Sequence, residues 1–373
     1  MIKKMMCVLF VLVLTVALAA CAGTGSKGTE DDKPTNTGSG NASTNPSTNT
    51  PNGASSELVV VSFGGNMAET QRKAIYKPFE EKYKVKIREV SPTDLGKLKA
   101  MVESGNVEWD VVDVGADFAF RGGKQGLLEK LDYNVIQKDG IYPEFVSDYG
   151  IGAYLFYVPI AYSLSDYSED NHPKTWSEFW DTQKFPGKRS LWSIPQITME
   201  QALLADGVKK EELYPLDIDR AFKSLDKIKK NVSVFWKNGD QPAQALVGGD
   251  ASLATGYNGR LMNARKDGVP IGIEYNQVTV GGDAWVIPKG SKNKDLAMKF
   301  IAFATEPEQQ ANLSKINDIA PANKKSYELL SEEDKTRLGI KGTEQSQVII
   351  NMEYWAENYD QINERYQKWM MEK

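Results

Sequence analysis

Cys7 and Cys21 are the only thiols of this 373-residue chain, and Leu18-Ala19-Ala20 stand directly before the second. Side chains that small fit a protease cleft, and a thiol at a newly made N-terminus can carry an acyl chain. The chemistry that this spacing supports is lipidation of Cys21. Other nucleophiles are scarce, since His172 is the sole histidine. Carboxylates abound, with 50 Asp and Glu, which leaves a hydrolase with paired carboxylates as the enzyme reading. No Gly-x-Ser-x-Gly, His-Glu-x-x-His or phosphate-binding loop occurs, so the common hydrolytic and nucleotide chemistries lack their signatures. No cofactor and no metal are expected. Two clusters containing glycine, Ser62 to Asn66 and Gly115 to Asp117, could make ordinary turns or let the backbone approach a ligand closely.

Lys3 and Lys4 precede an uncharged apolar run from Cys7 to Ala17. That order reads as a secretory signal, and the run is shorter than the ~18 residues of a spanning helix. With its small residues before Cys21, the segment resembles the lipobox of bacterial lipoproteins. Residues 1–20 are therefore expected to be a signal peptide and 21–56 a disordered, lipidated linker of Gly, Ser, Thr, Asn and Pro. Such a chain cannot bury enough surface to offset its entropy, and some 35 residues would reach roughly 30–35 Å. The protein is expected at the outer face of the cell membrane, held by lipid, and the long tether and Lys content point to a Gram-positive source. The folded part lacks cysteine, but its length allows a core that needs no disulfide. The formal net charge is −5, with no basic block beyond pairs such as Lys209-Lys210 and Lys229-Lys230. Nucleic acid is excluded as the main partner.

The elements that must position any site begin at Glu57. Leu58 to Val61 reads as a buried parallel strand. A helix follows from about Ala68 to Tyr83, with Pro78 kinking or dividing it. Val85 to Val90 is a second strand, and Ser91 or Thr93 can cap a helix that runs through Val102 to Gly105. Trp109 to Val114 is a third strand, and Asp117 to Lys124 a short helix. This βαβαβ opening indicates an open α/β sheet, in which ligands lie beyond the carboxyl ends of the strands. A second α/β block runs from about Tyr157 to Gln277, with a helix Asp217 to Lys230 and a strand Ala251 to Tyr257. Val280 to Pro288 and Lys294 to Thr305 then read as strand and helix. Tyr149, Tyr154, Phe156, Tyr157 and Tyr162 are expected in the core, His172 in a surface turn, and Glu353, Trp355 and Glu357 on a solvated helix face.

Several segments in order resemble the ABC-transporter extracellular solute-binding family that contains the spermidine/putrescine-binding proteins. They are Trp109-Asp110-Val111-Val112, Gln125-Gly126-Leu127-Leu128-Glu129, Trp176-Ser177-Glu178-Phe179-Trp180, Phe185-Pro186-Gly187-Lys188-Arg189, Tyr257-Asn258-Gly259-Arg260 and Asp283-Ala284-Trp285-Val286-Ile287-Pro288. The resemblance implies a two-lobed α/β fold with hinge crossings near Leu155, Gly282 and Asp318. One lobe would comprise 57–155 with 283–318, the other 156–282 with 319–373. It further implies a monomer that binds a small amine-containing solute between its lobes, hands it to the transmembrane subunits of an ABC permease and does no chemistry on it.

The same resemblance implies site residues. Asp283 falls where a carboxylate of polyamine binders sits, and Tyr257 where an aromatic wall sits. The pattern departs elsewhere: Ser193 to Ile197 replaces an acidic pair, Gly281 replaces an indole, and Gly64-Gly65-Asn66 replaces a polar-acidic-aromatic trio. Arg260 offers a planar fork for a carboxylate, so that Arg260 with Asp283 would suit a zwitterion such as γ-aminobutyrate. Arg260 could equally make an ion pair at a helix start. Gly65, Asn66, Asp117, Trp192 and Asp318 complete the expected ligand-binding set. Alternatives are a sugar or other small solute on the same fold.

Overall fold

A computed structural model describes residues 57–372; the expected signal peptide, the linker and Cys21 lie outside the described residues. The strands are β1 (Glu57–Val61), β2 (Lys86–Val90), β3 (Val111–Gly115), β4 (Val146–Ser147), β5 (Gly150–Ser163), β6 (Arg189–Trp192), β7 (Val232–Trp236), β8 (Leu253–Thr255), β9 (Ile271–Val286) and β10 (Val348–Ile349). They form one sheet in the order β2-β1-β3-β9-β5-β8-β6-β7, with β4 beside β5 and β10 beside β9. β1 pairs in parallel with β2 and β3, and β6 in parallel with β7 and β8. The two parallel groups are joined through β5 and β9, which run antiparallel to each other.

In β1, Val59 and Val61 pack into one hydrophobic cluster and Leu58 and Val60 into another. Burial on both faces is why the strand reads as an unbroken β-branched run rather than an alternation. Asp110, just before β3, accepts the Val59 N–H at 2.9 Å, the Ser291 hydroxyl at 2.7 Å and the Asn293 amide at 3.0 Å. The Trp-Asp-Val-Val motif thus pins the start of β3 to β1 and to the turn after β9.

The stretch expected as one helix is divided just before Pro78. A π-helical turn, Arg72–Tyr76, joins the helices Gly65–Gln71 and Lys77–Tyr83, and Pro78 sits in the first turn of the latter, where its missing N–H is tolerated. The next helix, Leu95–Ser104, is capped by Asp94, whose carboxylate accepts Lys97 N–H, rather than by Ser91 or Thr93. Thr93 instead donates to the Asp113 carbonyl.

The largest differences from the sequence reading are β5 and β9. β9 begins at Ile271 rather than near Val280, and β5 takes in the aromatic run from Gly150 onward. β3 flanks β9 only at Asp283 to Val286, and β8 flanks β5 only at Ile160 to Tyr162. Between them, Leu155 to Val158 pair with Thr279 to Gly282 in a waist flanked by little besides β10. Register shifts at Gly152/Tyr154 and Val158/Ile160 bracket this waist, as bulges do where a strand bends. Leu155 exchanges backbone hydrogen bonds with Ala320 at 2.7 and 2.9 Å, so segments at Leu155, Gly282 and Asp318–Ala320 adjoin there.

His172 is buried rather than in a surface turn. Its ring stacks on Tyr162 at 4.2 Å, and Nε2 lies 3.1 Å from Glu274 Oε2. Trp355 is also buried, donating its indole N–H to Glu200 at 2.6 Å, while Glu357 faces Lys124. Helical spacing put Trp355 among acids, but it points inward between them.

Arg189 of the Phe-Pro-Gly-Lys-Arg motif is fully buried, and its guanidinium donates to the carbonyls of Phe179, Phe185 and Gly187. These carbonyls end the helix Trp176–Trp180 and the loop after it. Losing their donor would leave several buried acceptors unpaired at about 1–3 kcal/mol each. Arg189→Ala should therefore destabilise the fold by about 3 kcal/mol or more in urea unfolding, and a loss below about 1 kcal/mol would contradict this account.

Candidate functional site

The carboxyl ends of β1, β3 and β6 converge on a cleft of about 370 Å³, within the usual size for small-molecule sites. β1 leads to Phe63, Asn66 and Met67, β3 to Gly115 and Asp117, and β6 to Trp192, Gln196 and Ile197. The waist supplies Tyr154, Phe156 and Asp283, and the start of the helix Asn258–Lys266 supplies Tyr257 and Arg260.

The floor is acidic. Gly115 of β3 and Tyr154 of β5 are the register partners of Asp283, and Asp113 is opposite Trp285. Residues two apart on a strand share a face, so Asp113, Asp283 and Tyr154 meet on one face. The Tyr154 hydroxyl donates to Asp113 Oδ2 at 3.1 Å, and Gln71 Nε2 donates to the same oxygen at 2.6 Å. Asp113 Oδ1 is buried without a hydrogen-bond partner. Asp283, the register partner of Tyr154, is the second carboxylate beside that residue.

Burial pushes Asp283 up to about 7; a hydrogen bond from Tyr154 opposes this, and the charge of Asp117 adds to it. Burial, then the charge of Asp283, holds Asp113 well above the usual carboxylate range, against the bonds from Gln71 and Tyr154. Burial also raises Asp117, with Arg121 and Gln196 pulling the other way. Arg121 lies 3.7 Å from Asp117 and is the cation ion-paired to this floor among the described residues. Three desolvated carboxyl groups thus share little positive charge, and a cation entering here would be favoured. Among the described residues, no group of His, Cys, Asp or Glu is arranged to hold a metal ion.

The walls are aromatic. Trp192 stacks on Trp236 with centroids 4.7 Å apart, and Tyr257 meets Trp192 and Phe156 edge-on at 5.2 Å each. Gly281 explains Phe156: a Cβ there would lie 2.5 Å from the Phe156 ring. The ring therefore lies across the glycine, and β5 supplies an aromatic surface next to the position where the resemblance implied an indole. Tyr154, Tyr157 and Tyr162 are buried in the core as expected, and Tyr154 and Tyr157 also line the cleft; Phe156 is half-buried and lines the cleft, and Tyr149 packs half-buried against the core. The missed signal was period two: Tyr154 and Phe156 are alternate residues in a strand that sequence reading did not place.

The remaining expected residues divide. Asn66, Asp117, Trp192, Tyr257, Arg260, Asp283 and Asp318 all line the cleft, and Gly65 stands one residue back from it with φ 58°. Arg260 Nη1 is 3.4 Å from Asp240 Oδ1, a largely exposed pair of the kind worth little, so the guanidinium lies at the rim with that one weak partner. The Asp318 carboxylate is held by Lys266 at 3.0 Å and by Arg337, which leaves it little capacity for a ligand. Phe63, exposed at the rim, Gln196, bonded to Asp117, and Ile197 were not foreseen. Ile197 has φ 70°, a strained conformation for a β-branched residue of the kind that clusters at ligand clamps.

A family model described as bacterial extracellular solute-binding protein matches residues 74–337. A γ-aminobutyric acid-binding protein of Pseudomonas aeruginosa is 35% identical over 328 residues, covering 84% of this chain and 91% of that protein. A spermidine/putrescine-binding periplasmic protein of Escherichia coli is 25% identical over 72% of this chain and 76% of its own length. A solved structure of a GABA receptor superposes with a TM-score of 0.78 at 41% identity, covering 85% of this chain and 98% of the other. Sheet order, waist, cleft and these likenesses agree, and the chain belongs to the bacterial extracellular solute-binding protein family.

Proposed function

We propose that this protein captures a small zwitterionic amine, with γ-aminobutyrate the foremost candidate, and delivers it unaltered to the transmembrane subunits of an ABC permease. The observation that carries the reading is Asp283, a carboxylate buried beside Asp113 and Asp117 beneath the Phe156, Trp192 and Tyr257 rings. A ligand ammonium would relieve that floor and lie against π faces. Arg260 at the rim offers its fork to a carboxylate. A diamine would instead bring its second ammonium toward that guanidinium, which favours an amino acid over a polyamine. The names of the Pseudomonas aeruginosa relative and the GABA receptor structure support the same choice.

In this reading, residues 57–155 with 283–318 form one lobe and 156–282 with 319–373 the other. Closure about the waist would bury the ligand and create the surface that the permease reads. Lipid on Cys21 would hold a monomer at the outer membrane face. No helix among the described residues is long and apolar enough to cross a membrane, so the proposed anchor rests on the N-terminal segment alone.

Removing one partner of a desolvated charge pair costs roughly 2–5 kcal/mol, so Asp283→Ala should weaken γ-aminobutyrate binding at least tenfold by calorimetry. Unchanged affinity would reject the ammonium role. Arg260→Ala should weaken γ-aminobutyrate more than putrescine, and equal losses would argue against carboxylate recognition. Gly281→Ala forces the Phe156 ring aside and should weaken binding severalfold. A folded Gly281→Ala variant with native affinity would remove Phe156 from the wall.

A further inference from the structure

Asp113 is buried behind the cleft, outside its lining, and the family resemblance gave it no role. Its surroundings are unusual for a structural carboxylate. Among the described residues no Lys or Arg is paired with it, one oxygen has no hydrogen-bond partner, and the other meets Gln71 and Tyr154, the latter leading to the ligand site. Gln71, which donates to Asp113, accepts in turn from the Tyr76 hydroxyl at 2.8 Å. That fixes the amide with its NH₂ toward Asp113. On the other side stands Tyr154, whose hydroxyl meets Asp113 and whose register partner is Asp283.

Two buried carboxylates on either side of one tyrosine, with no cation between them among the described residues, cannot both be ionised without strong repulsion. The proton belongs on the more deeply buried partner, Asp113, which is wholly inaccessible, whereas Asp283 opens on the cleft. A neutral Asp113 can donate its O–H to the Tyr154 oxygen across the 3.1 Å contact. The Tyr154 O–H is then free to donate to Asp283. Building on the ligand reading above, we propose that Asp113 is a positioning residue for ligand capture: as a neutral acid it orients the Tyr154 hydroxyl toward Asp283 and so favours the carboxylate that receives the ligand ammonium.

The charged and titratable groups around the chain are few. Asp283 is faced by Asp113 from β3, Tyr154 from β5, Asp117 from the helix Ala116–Lys124 and Tyr257 from the far wall. Asp113 is faced by Asp283, Tyr154 and Tyr76, with Glu89 and Arg72 beyond Tyr76. Arg121 compensates Asp117. With burial pushing Asp283 up to about 7, ammonium entry at lower pH displaces its proton to solvent. Apparent Kd should therefore rise about tenfold from pH 8 to pH 6.

The test measures γ-aminobutyrate affinity of the full-length protein by calorimetry from pH 6 to pH 9, for wild type, Asp113→Asn and Asp113→Val. Gln71 keeps its NH₂ toward residue 113, so an Asn there presents its amide oxygen to both Gln71 and Tyr154 and draws the Tyr154 O–H away from Asp283. Asp113→Asn should therefore move the midpoint up by about one unit, with binding about fivefold weaker at pH 7 and within twofold of wild type at pH 9. Asp113→Val leaves Tyr154 only Asp283 to donate to and should keep the wild-type midpoint. An unchanged midpoint in Asp113→Asn would overturn the proposal. A loss by the same factor at every pH would make Asp113 merely structural and overturn the proposal. So would a midpoint moved to lower pH in Asp113→Asn, since Asp113 would then be ionised in the native protein. Carboxyl-carbon NMR of Asp283 in the ligand-free protein reads the same midpoints without ligand. If wild type fails to bind γ-aminobutyrate, the ligand reading falls, and these midpoints alone decide the role of Asp113.

Discussion

A carboxylate taken out of water must find a cation, a set of donors or a proton, and the cleft floor supplies Asp283 with too little of each. Asp117 has Arg121 and Gln196, and Asp113 has Gln71 and Tyr154. Asp283 has Tyr154 and the negative charge of its neighbours. In the reading proposed above, that imbalance would make the site a receptor for positive charge, and most of the local architecture would serve to maintain it. Parallel pairing of β1 with β3 and antiparallel pairing of β3 with β9 bring the acids together. The aromatic walls keep water from screening them.

The same pairing defines how the molecule can move. Over Leu155 to Val158 and Thr279 to Gly282 the broad sheet narrows to two principal strands, bracketed by register shifts. A narrow, bulged ribbon resists bending less than a wide sheet does, so the closure proposed above would turn about this stretch. Tyr154 and Asp283 lie at one edge of that ribbon and Phe156 within it, which would place floor and wall at the pivot of the proposed closure.

Much of this was legible in the sequence. The run Leu58 to Val61, the helix–strand alternation up to Lys124 and the position of Asp283 all followed from local pattern or ordered motifs, because each depends on neighbours close in the chain. The long strands β5 and β9 were not legible as wholes. Gly281-Gly282 looks like a break, yet the glycines are there because Phe156 and Phe145 occupy the space that side chains would take. Asp113 reads as one more residue of a buried strand, and its partners Gln71 and Tyr154 are 42 and 41 residues away. Nothing local could have announced that meeting. His172 and Trp355 were misplaced for a similar reason, since their partners Glu274 and Glu200 come from distant strands and helices.

Phe156 has a double membership, in the ribbon between the halves and in the aromatic enclosure, through its place opposite Gly281. Shape selection and mechanical compliance are therefore written in the same few residues. A lineage that retuned this enclosure for a bulkier guest would also alter the stiffness of its own pivot. New preferences on this scaffold should accordingly arise more readily at Trp192 or Arg260, which lie away from the ribbon, than at the strand that joins the halves.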